Sequence, residues 1–168
     1  LTQRTSALHD SFLDSCDEIL ACSPQLATTF GDATTSVLHP FWGTTALRPR
    51  RRFPLLRRAR CRVAFLGTRS HLADLETIAP DLSAALASSH DIRLTTYLGE
   101  NAPRSLHGSH HLDPMDWPGY RRHILRRSYD LAIYPMADTP YNRARSQNKL
   151  IEHAITGAAT LYLSLIHI

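Results

Sequence analysis

Hydrophobic residues follow two periods along this chain. Solid apolar runs read as buried strands, and Leu131-Ala132-Ile133-Tyr134-Pro135-Met136 and Ala158-Ala159-Thr160-Leu161-Tyr162-Leu163 are the plainest. Between them, residues 144–157 place Leu150, Ile151, Ala154 and Ile155 on one helical side and Ser146, Lys149 and Glu152 on the other. Ser146 is expected to cap that helix and Gly157 to stop it. Strand, polar loop, helix and strand make a βαβ unit, which predicts a parallel sheet with helices on its faces.

The same reading extends upstream. Residues 1–15 carry Leu8, Phe12 and Leu13 at helical spacing. Asp17–Cys22 reads as a short strand, Ser23-Pro24 opens a helix that Gly31 ends, and Thr34–Leu38 is a second short strand. Arg62-Val63-Ala64-Phe65-Leu66-Gly67 is a strand that runs into a helix with Leu75, Ile78, Leu82 and Leu86. Asp91–Gly99 alternates as a strand, residues 100–117 read as loop, and Asp116–Ser128 is an amphipathic helix with Tyr120, Ile124 and Leu125 inward and four arginines outward. The fold class is α/β with Rossmann-like parallel sheets. The expected divisions are a piece of one such domain over 1–39, a linker over 40–61, a second domain over 62–163 and a non-native tail over 164–168.

Composition changes this picture in three places. Residues 40–60 hold four of the turn-forming Pro and Gly residues, and eight arginines lie between Arg48 and Arg62. That stretch is expected to be a solvated basic connector. Its functional alternatives are an anionic-membrane or nucleic-acid patch, but it lacks interleaved aromatics beyond Phe53, so nucleic acid is not the expected partner. Cys16, Cys22 and Cys61 have no metal or redox spacing, which points to a reducing, cytoplasmic setting. No apolar run is long enough to span a membrane. The chain lacks an initiator Met, and Ser164-Leu165-Ile166-His167-Ile168 reads like adapter read-through. The expectation is therefore an internal piece of a longer protein.

Chemistry concentrates at two turns. The loop Ala137–Arg145 offers an acid, hydroxyls, an amide and two arginines ahead of the free amides of a helix, a cradle suited to phosphate. Among nineteen Lys plus Arg, Lys149 is the sole lysine, where a compact ammonium on a flexible stem replaces the planar fork used elsewhere. The bland reading of Lys149 and Glu152 is a surface pair worth only ~0.2–0.5 kcal/mol. The turn after Gly67 lets backbone approach a ligand, but it lacks the second and third glycines of a dinucleotide fingerprint. His107, His110, His111 and Asp113 are conceivable zinc ligands, discounted because their spacing is not helical and the chain has ten histidines.

The segment Asp138-Thr139-Pro140-Tyr141-Asn142-Arg143-Ala144-Arg145-Ser146-x-x-Lys149-x-x-Glu152-x-Ala154-x-x-Gly157 resembles the donor-site motif of GT-B glycosyltransferases, nearest to the retaining group-1 type that uses nucleotide sugars. Gly67-Thr68-Arg69-Ser70-His71-x-x-Asp74-Leu75 resembles the start of that family's C-terminal domain, and the Ser23 strand–helix–strand succession resembles the last unit of its N-terminal domain. From Arg62 to Leu163 the resemblance covers about a hundred residues. It departs at Ala144, where many members carry a glutamate, and at Ala158-Ala159, where many carry a proline.

The resemblance implies a glycosyltransferase. Lys149 and Arg145 would be catalytic and meet charge on the leaving diphosphate. Gly67, Thr68, Arg69, His71, Thr139, Asn142 and Ser146 would line the donor site, and Glu152 would hold the ribose. No metal or other cofactor is expected. The acceptor is open: a saccharide, a lipid-linked sugar or a protein. Peripheral contact with the inner membrane through the basic linker fits that class, and the piece by itself is not expected to be active. The competing readings are an arginine-rich nucleic-acid-binding module and a non-catalytic α/β interaction domain.

Overall fold

A computed structural model of the chain describes residues 10–31, 34–42 and 60–164. Most of the basic linker, the first part of the expected leading helix and the last four residues lie outside the described residues. Contacts divide the chain into two units. One comprises Leu1–Pro40 with Thr139–Gln147, and the other Phe41–Asp138 with Asn148–Ile168.

The smaller unit contains β1 (Ile19–Ala21) and β2 (Thr35–Val37), paired in parallel. Between them α1 (Pro24–Ala27) starts as its sequence dictates. Ser23 caps it by accepting from the Leu26 amide at 3.1 Å, and Pro24 occupies the first helical position. Residues 10–14 are helical, with Phe12 exposed. Cys16 is exposed.

The larger unit is an α/β domain of Rossmann-like character built on a five-stranded parallel sheet. Its strands are β3 (Cys61–Phe65), β4 (Ile92–Thr96), β5 (His110–His111), β6 (Leu131–Met136) and β7 (Ala159–Ser164), in the order β5-β4-β3-β6-β7. Helices α2 (Leu72–Ser88) and α3 (Trp117–Arg126) precede the short α4 (Pro140–Arg143) and then α5 (Asn148–Thr156). Of these, α4 falls in the smaller unit.

The pleat of β3 sorts the core into two layers. Val63 and Phe65 join Leu75, Ala79, Leu94 and Ile133, with Ile78, Leu82 and Leu86 of α2 packed against them. Ala64 and Leu66 point the other way and join Tyr97, Ile124 and Ile155, with Tyr120 and Ile151. A strand buried on both faces reads as a continuous apolar run, as β3 and β6 do.

Two sequence expectations need correction. Residues 100–117 are not all loop, because His110 and His111 pair with Thr95 and Thr96 to form β5. Two residues are too few to show a period. The expected helix cap at Ser146 is displaced, because α5 begins at Asn148, and the loop before it contains α4. Thr139 caps α4 by accepting from the Asn142 amide at 3.1 Å, with Pro140 next, the same cap-and-proline start as at Ser23-Pro24. The stop at Gly157 is as expected. Its φ is +71°, its amide donates to Ala154 at 3.0 Å, and the Ala158 amide reaches back to His153 at 3.0 Å.

Candidate functional site

In an open parallel sheet, the crevice for ligands lies beyond the carboxyl ends of the strands, where the strand order reverses. Here the reversal falls between β3 and β6, since β3 is the first strand of the sheet in the chain and has β4 on one side and β6 on the other. A cavity of about 390 Å³ opens at these carboxyl ends. Leu66, Gly67, Thr68, Arg69 and Ser70 form one wall, following directly on β3. Tyr97, Trp117 and Tyr120 form an aromatic wall, and Lys149 and Glu152 of α5 close the third side.

Gly67 is there for room. A Cβ at this position would be driven into the ring of Phe65, which is fully buried. The chain then turns through Arg69–His71 into α2.

The Glu152 carboxylate is 1 % exposed and sits at the centre of a side-chain network. Tyr120 Oη donates to its Oε2 at 2.6 Å, and Asn148 Nδ2 donates to its Oε1 at 2.9 Å. Lys149 Nζ bridges both oxygens, at 3.1 and 2.9 Å. Asn148 is held in turn, because Trp42 Nε1 donates to its Oδ1 at 3.2 Å. The Lys149 side chain is 13 % exposed and its ammonium lies 5.7 Å from the Tyr120 ring centre. The bland alternative of a surface Lys149–Glu152 pair therefore does not hold, and the expected division of the helix into one apolar and one polar side is not kept. Glu152 and His153 are buried, while Ala154 is exposed. Tertiary partners override the helical period here, because α3 brings a phenol where the pattern predicts water.

Burial moves the proton affinities around this network. The Tyr120 phenol is pushed far above its usual value, first by burial and then by the neighbouring Glu152 charge. Tyr97 is raised by burial and by its 2.7 Å bond to Tyr129. His153, bonded to Thr160 at 3.0 Å, is lowered to about 4 by burial and then by Lys149.

The residues singled out in the sequence divide into three groups. Gly67, Thr68, Arg69, Lys149 and Glu152 line the one cavity. His71 does not. It is 3 % exposed, packs against the rings of Phe65 and Tyr134, and stands 3.7 Å from Asp74, whose other oxygen accepts from the Ala137 amide at 3.0 Å. This arrangement ties the start of α2 to the end of β6. Thr139, Asn142, Arg145 and Ser146 belong to the smaller unit. There Asn142 Oδ1 accepts from Arg145 at 3.2 Å, the Arg145 guanidinium lies 4.8 Å from the Tyr141 ring centre, and Ser23 Oγ donates to the Ala144 carbonyl at 2.6 Å.

Sequence reasoning missed Tyr97, Trp117, Tyr120 and Asn148 as site residues. For Tyr120 a signal existed, because a tyrosine on the inward side of a helix needs a partner for its hydroxyl. The histidine group does not converge. His111 bonds Thr96 Oγ1 at 2.7 Å and Ser109 Oγ at 3.0 Å through its two nitrogens, and no metal-holding cluster of three acids, histidines or cysteines occurs among the described residues. Among those residues, no helix is long and apolar enough to cross a membrane.

No family model matches the chain, and no curated protein matches it significantly.

Proposed function

We propose that the larger unit is the donor-binding domain of a GT-B glycosyltransferase of the retaining group-1 type, which binds a nucleotide sugar and stabilises the departing nucleoside diphosphate. One observation carries this reading: the turn after β3 and the Lys149–Glu152 pair, 80 or so residues apart in sequence, line a single cavity at the reversal of strand order. The cavity is polar on its Gly67–Ser70 side and aromatic on its Trp117 and Tyr120 side, which suits a ligand with a phosphate end and a flat end.

The chemistry follows from the pair. Lys149 is the mobile cation, with a flexible stem and three donors. In the proposed complex its ammonium leaves Glu152 for the diphosphate, where it meets the negative charge that grows as the glycosyl bond breaks. The carboxylate directions it vacates then accept the two ribose hydroxyls, while Tyr120 and Asn148 keep Glu152 in place.

Isothermal calorimetry of the chain with UDP-, GDP- and ADP-sugars tests the proposal. Binding of one of them that falls at least about tenfold in Glu152→Ala, through loss of a buried acceptor, is the expected result. Donor affinity that survives Glu152→Ala, or no binding to any of the three, counts against it.

A further inference from the structure

The outer side of α3 carries a second feature, which does not depend on the donor reading. Arg122, His123, Arg126 and Arg127 stand at i, i+1, i+4 and i+5, so their side chains neighbour one another across one helical turn. Together with Met115 and Gly119 they line an open hollow of about 530 Å³. Arg122, Arg126 and Arg127 are exposed, and among the described residues no acid lines the hollow. The acid beside it, Asp116, is engaged as the cap of α3 and accepts from the Gly119 amide at 2.9 Å.

Helix stability alone does not account for this arrangement. Cations in the last turn suit the negative end of the helix dipole, which explains Arg126. Arg122 lies a full turn earlier and repels Arg126 as a like charge at i,i+4. Arg127 Nε donates to His123 Nε2 at 3.1 Å, so the imidazole holds that guanidinium at the rim of the hollow. Three planar forks around one concavity match the geometry of phosphate oxygens. The hollow is much larger than one phosphate and is open on its outer side, so it suits a group that bears several.

We propose that the Arg122–His123–Arg126–Arg127 hollow of α3 is a binding site for a ligand carrying more than one phosphate charge, either a soluble polyphosphate or the phosphate headgroups of an anionic lipid surface. The imidazole of His123 is the local reporter. Inorganic tripolyphosphate added to the chain shifts the His123 ring resonances in a saturable way, and the shift persists in Lys149→Ala, which separates this site from the cavity. The triple variant Arg122→Gln/Arg126→Gln/Arg127→Gln weakens the affinity by about tenfold or more, with unchanged far-ultraviolet circular dichroism. The control variant Arg50→Gln/Arg51→Gln/Arg52→Gln, which removes the same charge from the linker, leaves it within about twofold.

Vesicles separate the two sources. Co-sedimentation with phosphatidylcholine vesicles containing phosphatidic acid, lost in the α3 variant and absent with phosphatidylcholine alone, assigns the site to a lipid surface. Tripolyphosphate binding without co-sedimentation assigns it to a soluble ligand. Equal losses in the α3 and linker variants, no response of His123 to tripolyphosphate or to phosphatidic acid vesicles, or His123 responding only to a single-stranded oligonucleotide would each overturn the proposal.

Discussion

Replacing Tyr120 with phenylalanine isolates one bond. The ring stays, and with it the edge contact to Tyr97 at 5.5 Å, the tilted contact to Trp117 at 6.1 Å and the approach of Lys149. What goes is the 2.6 Å bond from the phenol to the Glu152 carboxylate. A hydrogen bond to a charged group contributes about 1.5–3 kcal/mol, and removing its donor leaves a carboxylate oxygen in a site that water barely reaches. Lys149 still holds the same oxygen at 2.9 Å, which places the expected loss at the lower end, about 1.5–2 kcal/mol. At roughly 4 °C per kcal/mol for a unit of this size, Tm falls by about 6–8 °C. Thermal unfolding followed by circular dichroism measures this. A cycle with Glu152→Gln gives the decisive number, because most of the loss should disappear once the charge is gone. If Tyr120→Phe changes stability by less than about 0.5 kcal/mol, or by the same amount with and without the Glu152 charge, the network is not what holds the carboxylate.

Other consequences can be measured as directly. His153 has a folded pKa of about 4 against an ordinary value near 6.5, so the unfolded chain binds more protons between those values. Stability should therefore be fully present above about pH 6.5 and fall as pH drops toward 4, by at most about 3 kcal/mol, and His153→Gln should flatten that slope in urea titrations at several pH values. Gly67→Ala forces a methyl into the Phe65 ring and should cost about 1–3 kcal/mol, read as a lower urea midpoint; an unchanged midpoint would show that the ring can move aside. Ser23→Ala removes both the cap of α1 and the bond to the Ala144 carbonyl, for an expected loss of about 1–2 kcal/mol in the smaller unit, where hydrogen exchange of the Leu26 amide should speed up.

β6 was legible because burial on both faces leaves its mark in composition, whereas β7 is an edge strand whose residues 159–162 are exposed, contrary to the expectation of a buried strand there. β6 occupies the residues that its apolar run marks, and β7 differs from its run by one residue at each end. The Ser23-Pro24 start and the Gly157 stop were legible because each satisfies helix-end groups with its own local chemistry. The two faces of α5 were not legible, because the burial of Glu152 is decided by Tyr120, 32 positions earlier, and no helical period records that. β5 escaped because its two residues pair through position and not through pattern. His71 was misplaced for the opposite reason. It follows a ligand-type turn, but its ring is captured by Phe65 and Tyr134, one of them on a strand 60 residues away.

The excursion of residues 139–147 has a topological outcome. The polypeptide passes from one unit to the other after Pro40, again after Asp138 and once more after Gln147. A protease that nicks the arginine-rich stretch would divide the smaller unit, releasing residues 1–40 on one polypeptide and leaving residues 139–147 on the other with most of the larger unit. Expression of residues 1–40 alone would give a half without α4 and without the carbonyl that Ser23 bonds, so division of the gene at the linker would not yield two self-sufficient products.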